Sequence, residues 1–222
     1  MFGAVSFHGF SAVNGSIVPS PPPFSHVLEV IGDSISAGYG NDGCPFSAET
    51  EIGSAAYGPL AARTLGAVAQ VMAWSGRGMV MDLAGNTQDQ LPSLYQYAIA
   101  TGDSPVTWDY SDVIPDAVVI NLGTNDFSGG VNRSVFISTY ETFVTRLRGY
   151  YPNAYVLLAI NDASDAFSGA LDTVISNLAD PNVEKINLES PNWNGCDGHP
   201  NLAAHQAMAN TLANRLKTEL GW

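Results

Sequence analysis

Five residues of this 222-residue chain have the types that acyl transfer to a serine requires: Ser34, Gly76, Asn125, Asp197 and His199. A serine hydroxyl is a poor nucleophile until an imidazole takes its proton, so Ser34 needs a neutral histidine within hydrogen-bond reach. His199 is the best placed of the four histidines. The tetrahedral intermediate of ester hydrolysis then needs donors aimed at its oxyanion. The backbone N–H of Ser34, the backbone N–H of Gly76 and the side-chain amide of Asn125 can supply them. Asp33 adjoins the nucleophile and reads as structural, because a carboxylate aimed inward would oppose the oxyanion. Taken singly, these residues have plainer readings. Ser34 suits a helix N-cap, Gly76 a turn, Asn125 and Asp126 ordinary turn positions, and His199 beside Pro200 the start of a helix. His8, His26 and His205 lack such a loop context and read as structural or exposed.

The elements that must position these residues give them a common place. Val27 to Ile31 is a short apolar run that reads as a buried strand, and Ser34 follows its end. Tyr57, Leu60, Ala61 and Leu65 keep helical spacing, and Ala67 to Trp74 reads as a second strand. Ala117 to Leu122 is apolar on both faces and rich in β-branched residues, as a central parallel strand should be. Phe136, Tyr140, Phe143, Val144, Leu147 and Tyr151 form a helical stripe, followed by a strand from Tyr155 to Ile160 and a helix around Leu171 to Leu178. Val183 to Leu188 supplies the last strand, and Leu202, Met208, Leu212 and Leu216 mark a terminal helix. The alternation predicts one α/β domain, a three-layer α/β/α sandwich around a mostly parallel sheet. In such a sheet the loops beyond the carboxyl ends of the strands share one edge. Four of them carry Gly32-Asp33-Ser34, Ser75-Gly76-Arg77-Gly78, Gly123-Thr124-Asn125-Asp126 and Cys196-Asp197-Gly198-His199-Pro200.

Composition narrows the partners. Eight Lys plus Arg against 21 Asp plus Glu give a net charge of −13. That argues against nucleic acid or an anionic membrane, and a neutral polysaccharide or simple ester is more compatible. No stretch approaches the roughly 18–20 apolar residues of a membrane span, and no signal peptide is visible. Scarce lysine and arginine, with high glycine and aromatic content, suggest an extracellular protein. Asn14-Gly15-Ser16 and Asn132-Arg133-Ser134 match the permissive N-glycosylation pattern. Residues 1–26 form an N-terminal extension whose prolines at 19 and 21–23 suit an extended connector, with a surface strand near Val5; residues 27–222 form the domain itself. Cys44 and Cys196 can form at most one intramolecular disulfide, and will do so if both their loops line one site; the alternative is two buried free thiols.

The ordered blocks Gly32-Asp33-Ser34, Gly76, Gly123-Thr124-Asn125-Asp126 and Asp197-Gly198-His199-Pro200 resemble the SGNH (GDSL) hydrolase superfamily. Gly38-Tyr39-Gly40, Trp74-Ser75-Gly76-Arg77-Gly78 and Gly195-Cys196-Asp197 resemble carbohydrate esterase family 2 more closely, over about residues 27 to 222. The resemblance implies an acetyl esterase acting on xylan or related acetylated plant polysaccharide, without metal or cofactor, and the expected form is a secreted monomer. It assigns Ser34 as nucleophile, His199 as base, and Ser34 N–H, Gly76 and Asn125 as the oxyanion hole. Most members of the superfamily place the triad acid three residues before the histidine, where this chain has Cys196. Asp197, two residues before, is the candidate acid, and a backbone carbonyl is the alternative support for His199. Family members typically carry an N-terminal β-sandwich, of which only Val5 to Phe24 resembles a part. Trp193 and Trp74 are candidate substrate-binding residues, Trp193 by stacking on a sugar ring and Trp74 by flanking the acyl pocket. Two other readings keep the same groove: a lipase or thioesterase acting on other acyl groups, and a carbohydrate-binding protein without turnover.

Overall fold

Apolar side chains along the strands alternate between two destinations, and this sorting builds the layers. The computed structural model describes residues 11, 13–16, 25–99, 105–161, 164–188 and 193–222. The strand expected near Val5 and the proline connector lie outside them. The elements run β1 (Val27–Gly32), α1 (Ser34–Ala37), α2 (Tyr57–Leu65), β2 (Val68–Ala73), α3 (Leu91–Leu94), β3 (Tyr97–Ile99) and β4 (Val106–Thr107). They continue with β5 (Ala117–Asn121), α4 (Thr124–Ser128), α5 (Arg133–Tyr150), β6 (Tyr155–Ile160), α6 (Asp165–Leu178), β7 (Val183–Asn187) and α7 (Leu202–Leu220).

Five strands pair in parallel in the order β2-β1-β5-β6-β7. Leu28 and Val30 of β1, with Val119 and Leu157, pack against Ala61 of α2 and Met208, Leu212 and Leu216 of α7. Ile31, Val118, Ile120 and Leu158 face the opposite way, onto Phe136, Tyr140 and Leu147 of α5 and Leu171 and Val174 of α6. That is the period-two pattern of a sheet covered on both faces, and the three-layer α/β/α expectation holds. Side chains cap the helices that follow the strands. Asn132 Oδ1 accepts from Ser134 N–H at 3.0 Å, and Asn201 Oδ1 accepts from Ala204 N–H at 2.9 Å. Both Asn14 and Asn132 are exposed.

The strand order reverses at β1, which has β2 on one side and β5 on the other. This opens a crevice beyond their carboxyl ends, the position at which doubly wound sheets bind ligands. Gly32 pairs across with Ala73 and with Asn121, so three strands end level and their loops begin together. The antiparallel β3–β4 pair and the short helices α3 and α4 had no counterpart in the sequence pattern, whereas α1 begins at Ser34, where a helix start is expected. None is long enough to show a period.

Candidate active site

Ser34 stands at the first position of α1, directly after β1. An amide there has no acceptor within its own helix, so the Ser34 N–H points out of the helix end. Its hydroxyl Oγ lies 2.8 Å from His199 Nε2. The other imidazole nitrogen, Nδ1, lies 3.1 Å from the carbonyl oxygen of Cys196. A carbonyl can only accept, so Nδ1 carries the proton and Nε2 is left bare to accept from the Ser34 hydroxyl. Burial lowers the pKa of His199 below the usual 6.5, outweighing the hydrogen bond to Cys196 and the nearby Asp197, both of which raise it. The imidazole is therefore neutral at neutral pH, the state a general base needs.

The loop carrying His199 folds back on itself. Cys196 C=O also accepts from the His199 backbone N–H at 3.0 Å, and Gly195 N–H donates to His199 C=O at 2.9 Å. The loop is tied to the segment after α1 by Cys196 N–H donating to Gly40 C=O at 3.0 Å, and by a disulfide between Cys44 and Cys196. The alternative of two free thiols is thereby excluded. Gly40 permits this closeness: a Cβ built there would lie 2.4 Å from Cys196 Cβ. Asp197 is not placed as expected of a triad acid. Its backbone is left-handed, with φ 52°, and its carboxylate turns outward to accept from the Tyr39 hydroxyl at 2.8 Å. Cys196 C=O occupies the position at Nδ1 that an acid would take.

The other loops meet on the far side of Ser34. Trp74 N–H donates to Gly32 C=O at 3.0 Å, which brings the loop after β2 to the end of β1. Gly76 sits in a turn closed by Arg77 N–H on Trp74 C=O, with φ 81° and open space where a side chain would be. Asn125 Nδ2 donates to Arg77 C=O at 2.9 Å and lies 3.4 Å from Asp33 Oδ2. Asp33 itself caps α1, its Oδ1 accepting from Ile35 N–H at 3.0 Å. Burial pushes its pKa up to about 7, aided by Asp126, so its charge near Ser34 is muted.

Asp126 is the site residue that the sequence reading passed over as a turn former. It is fully buried and accepts three backbone amides of the Gly76 loop: Met79 at 2.8 Å, Val80 at 2.7 Å and Met81 at 3.0 Å. The loop comes so close that a Cβ on Gly78 would lie 2.5 Å from Asp126 Oδ2. Gln90 adds a further tie, accepting from Gly78 N–H at 2.7 Å. One carboxylate thus holds the loop that carries Gly76.

A groove of about 780 Å³ opens beside this cluster, lined in part by Tyr39, Phe46, Glu51, Val71, Trp74 and Ser75. Trp74 is placed at the groove, with the Arg77 guanidinium 5.2 Å from its ring centroid. Trp193 instead packs half-buried against the core beneath α2 and α7. His205 is buried, accepts from Tyr57 N–H at 3.2 Å and is pushed down by burial to a pKa of about 4; His26 stacks on Trp222. Both serve the framework. Among the described residues, no three or more His, Cys, Asp or Glu side chains are grouped to hold a metal ion. No helix among them is long and apolar enough to cross a membrane.

Residues 30–207 match the model of the GDSL-like lipase/acylhydrolase family. The chain is 33% identical, over 99% of its length and 29% of the relative's, to a cellulase/esterase, CelE, of Acetivibrio thermocellus. It is 29% identical to an acetylxylan esterase/glucomannan deacetylase of Cellvibrio japonicus, over 99% of this chain and 64% of that protein. It therefore spans under two thirds of the length of either curated relative. A solved family two carbohydrate esterase from Clostridium thermocellum, in complex with cellohexaose, superposes with a TM-score of 0.88 at 31% identity. That match covers 96% of this chain and 70% of the other.

Proposed function

The chain belongs to the GDSL-like lipase/acylhydrolase family and, within it, to the family 2 carbohydrate esterases, and on that footing we propose that it removes O-acetyl groups from plant polysaccharide. The observation that carries this reading is the Ser34–His199 contact with the imidazole tautomer already set for proton abstraction. Ser34 Oγ attacks the acetyl carbonyl while His199 Nε2 takes its proton. The resulting oxyanion is met by the N–H groups of Ser34 and Gly76. Asn125 contributes its Nδ2, whose second hydrogen is committed only to the long contact with Asp33 and can turn to the developing charge. The intermediate collapses as the imidazolium returns its proton to the departing sugar hydroxyl. Water, deprotonated by the same nitrogen, then releases acetate from Ser34.

The imidazolium formed in each half-reaction rests against Cys196 C=O, so Ser34 and His199 act as a dyad with a backbone support. The catalytic unit is residues 27–222. An acetylated carbohydrate is the partner best suited to an acidic chain with a wide groove, and relatives are named for acetylxylan and glucomannan. The disulfide, together with the absence of a membrane-crossing helix among the described residues, supports secretion.

Ser34→Ala should abolish hydrolysis of 4-nitrophenyl acetate while leaving the thermal transition in place; retained turnover removes Ser34 from the mechanism. A panel of acetylated xylan, acetylated mannan and aryl esters of increasing chain length tests the substrate. Activity that rises with acyl length would point to a lipase or thioesterase instead.

A further inference from the structure

We propose that Asp197 serves the site through Tyr39, as one half of an outer latch that holds the His199 loop, and not as an acid acting on the imidazole. The proposal rests on the reading of His199 as the base. Its ground is a closed set of contacts. The Tyr39 hydroxyl donates to Asp197 Oδ2 at 2.8 Å. The Tyr39 ring lies against the His199 ring, with centroids 4.4 Å apart and planes inclined by 32°. The same ring stacks on Phe46, nearly parallel, with centroids 3.9 Å apart. Phe46 follows shortly after Cys44, whose disulfide reaches Cys196.

The latch has a mechanical reason. Two residues separate the supporting carbonyl of Cys196 from His199, and both are left-handed: Asp197 at φ 52° and Gly198 at φ 75°. Asp197 is not a glycine, so its conformation costs free energy, and a hold from outside the loop adds to the backbone bonds within it. Its carboxylate, gripped by Tyr39, is that hold. A phenol that binds the loop at its hydroxyl and packs on the imidazole with its ring links loop position to ring orientation. Asp197 and Tyr39 are thus positioning residues. The bond between them is exposed, so each should contribute a modest factor and not the loss of the reaction.

A double-mutant cycle on kcat for 4-nitrophenyl acetate, with thermal melts on every variant, decides the matter. Tyr39→Phe and Asp197→Ala should each lower kcat by roughly five- to tenfold, and the double variant by no more than either alone. Asp197→Asn keeps an acceptor for the hydroxyl and should stay within about twofold of wild type. Losses that multiply in the double variant would overturn the proposal, because the two residues would then act separately. So would Asp197→Asn as poor as Asp197→Ala beside a fully active Tyr39→Phe, which would make the negative charge itself the working element. Full activity in all variants would also refute it. None of these outcomes touches the esterase reading, which fails only if Ser34→Ala keeps its turnover.

Discussion

Two loops meet at Ser34, and they are held in opposite ways. The Gly76 loop is gripped from inside: a buried carboxylate, Asp126, accepts three successive amides, and Gln90 takes a fourth. The His199 loop is gripped from outside, by a disulfide, a backbone bond to Gly40 and the Tyr39 hydroxyl. The difference follows from where each loop lies. A buried loop cannot leave amides unpaired, and a single carboxylate that satisfies several of them fixes the path of the chain at once. A loop at the rim finds little burial to hold it, and exposed hydrogen bonds compete with water, so covalent and aromatic ties take over. The Gly76 loop is thus set by a group that cannot be spared, and the His199 loop by several that individually can.

The comparison breaks first at Asp126. Asp126→Ala should lower kcat/KM by roughly 10²–10³ and stability by about 3 kcal/mol or more, since it misplaces the Gly76 donor and strands three amides. Asp126→Asn, keeping one oxygen, should fall between. Steady-state kinetics and urea denaturation check both, and near-wild-type kinetics for Asp126→Ala would put the two loops on an equal footing. Cys44→Ser should cost roughly 2–4 kcal/mol of stability, because the bridge closes a long loop, while kcat/KM stays within about tenfold. A larger kinetic loss than that of Asp126→Ala would reverse the ranking of the loops.

The smallest effect isolates the sheet from both loops. Glu29 of β1 is buried, with the Tyr95 hydroxyl 2.9 Å from each carboxylate oxygen, and burial pushes its pKa from 4.5 up to about 7. The folded state therefore keeps a proton that the unfolded chain gives up at 4.5. The stability this confers is complete below pH 4.5 and is lost as the pH rises through 7. Glu29→Gln should flatten that part of the Tm–pH curve, whereas Cys44→Ser should leave its slope unchanged; parallel curves for wild type and Glu29→Gln would refute the assignment.

The sandwich was legible because its buried strands are apolar on both faces and its helices carry clear stripes. Ser34 and His199 were legible because each stands where a strand-end loop must expose it. Asp126 was not: accepting backbone amides leaves no partner residue in the sequence, and its only trace is the glycine at 78 that makes room for it. The direction of Asp197 was equally hidden, since spacing from the histidine says nothing of a left-handed φ. Tyr39 stood in a motif without a role, because its three neighbours come from two distant stretches of chain: Phe46 from one, Asp197 and His199 from the other.

The Cys44–Cys196 bridge has a consequence for how the molecule survives attack. The bridged residues lie 152 apart, with Ser34 just before the first and His199 just after the second. A protease that severs the backbone once at any bond between them produces two fragments, one bearing Ser34 and the other His199. Those fragments remain a single covalent molecule, linked through the Cys44–Cys196 bridge. A molecule nicked by a peptidase therefore keeps Ser34 and His199 tethered to one another.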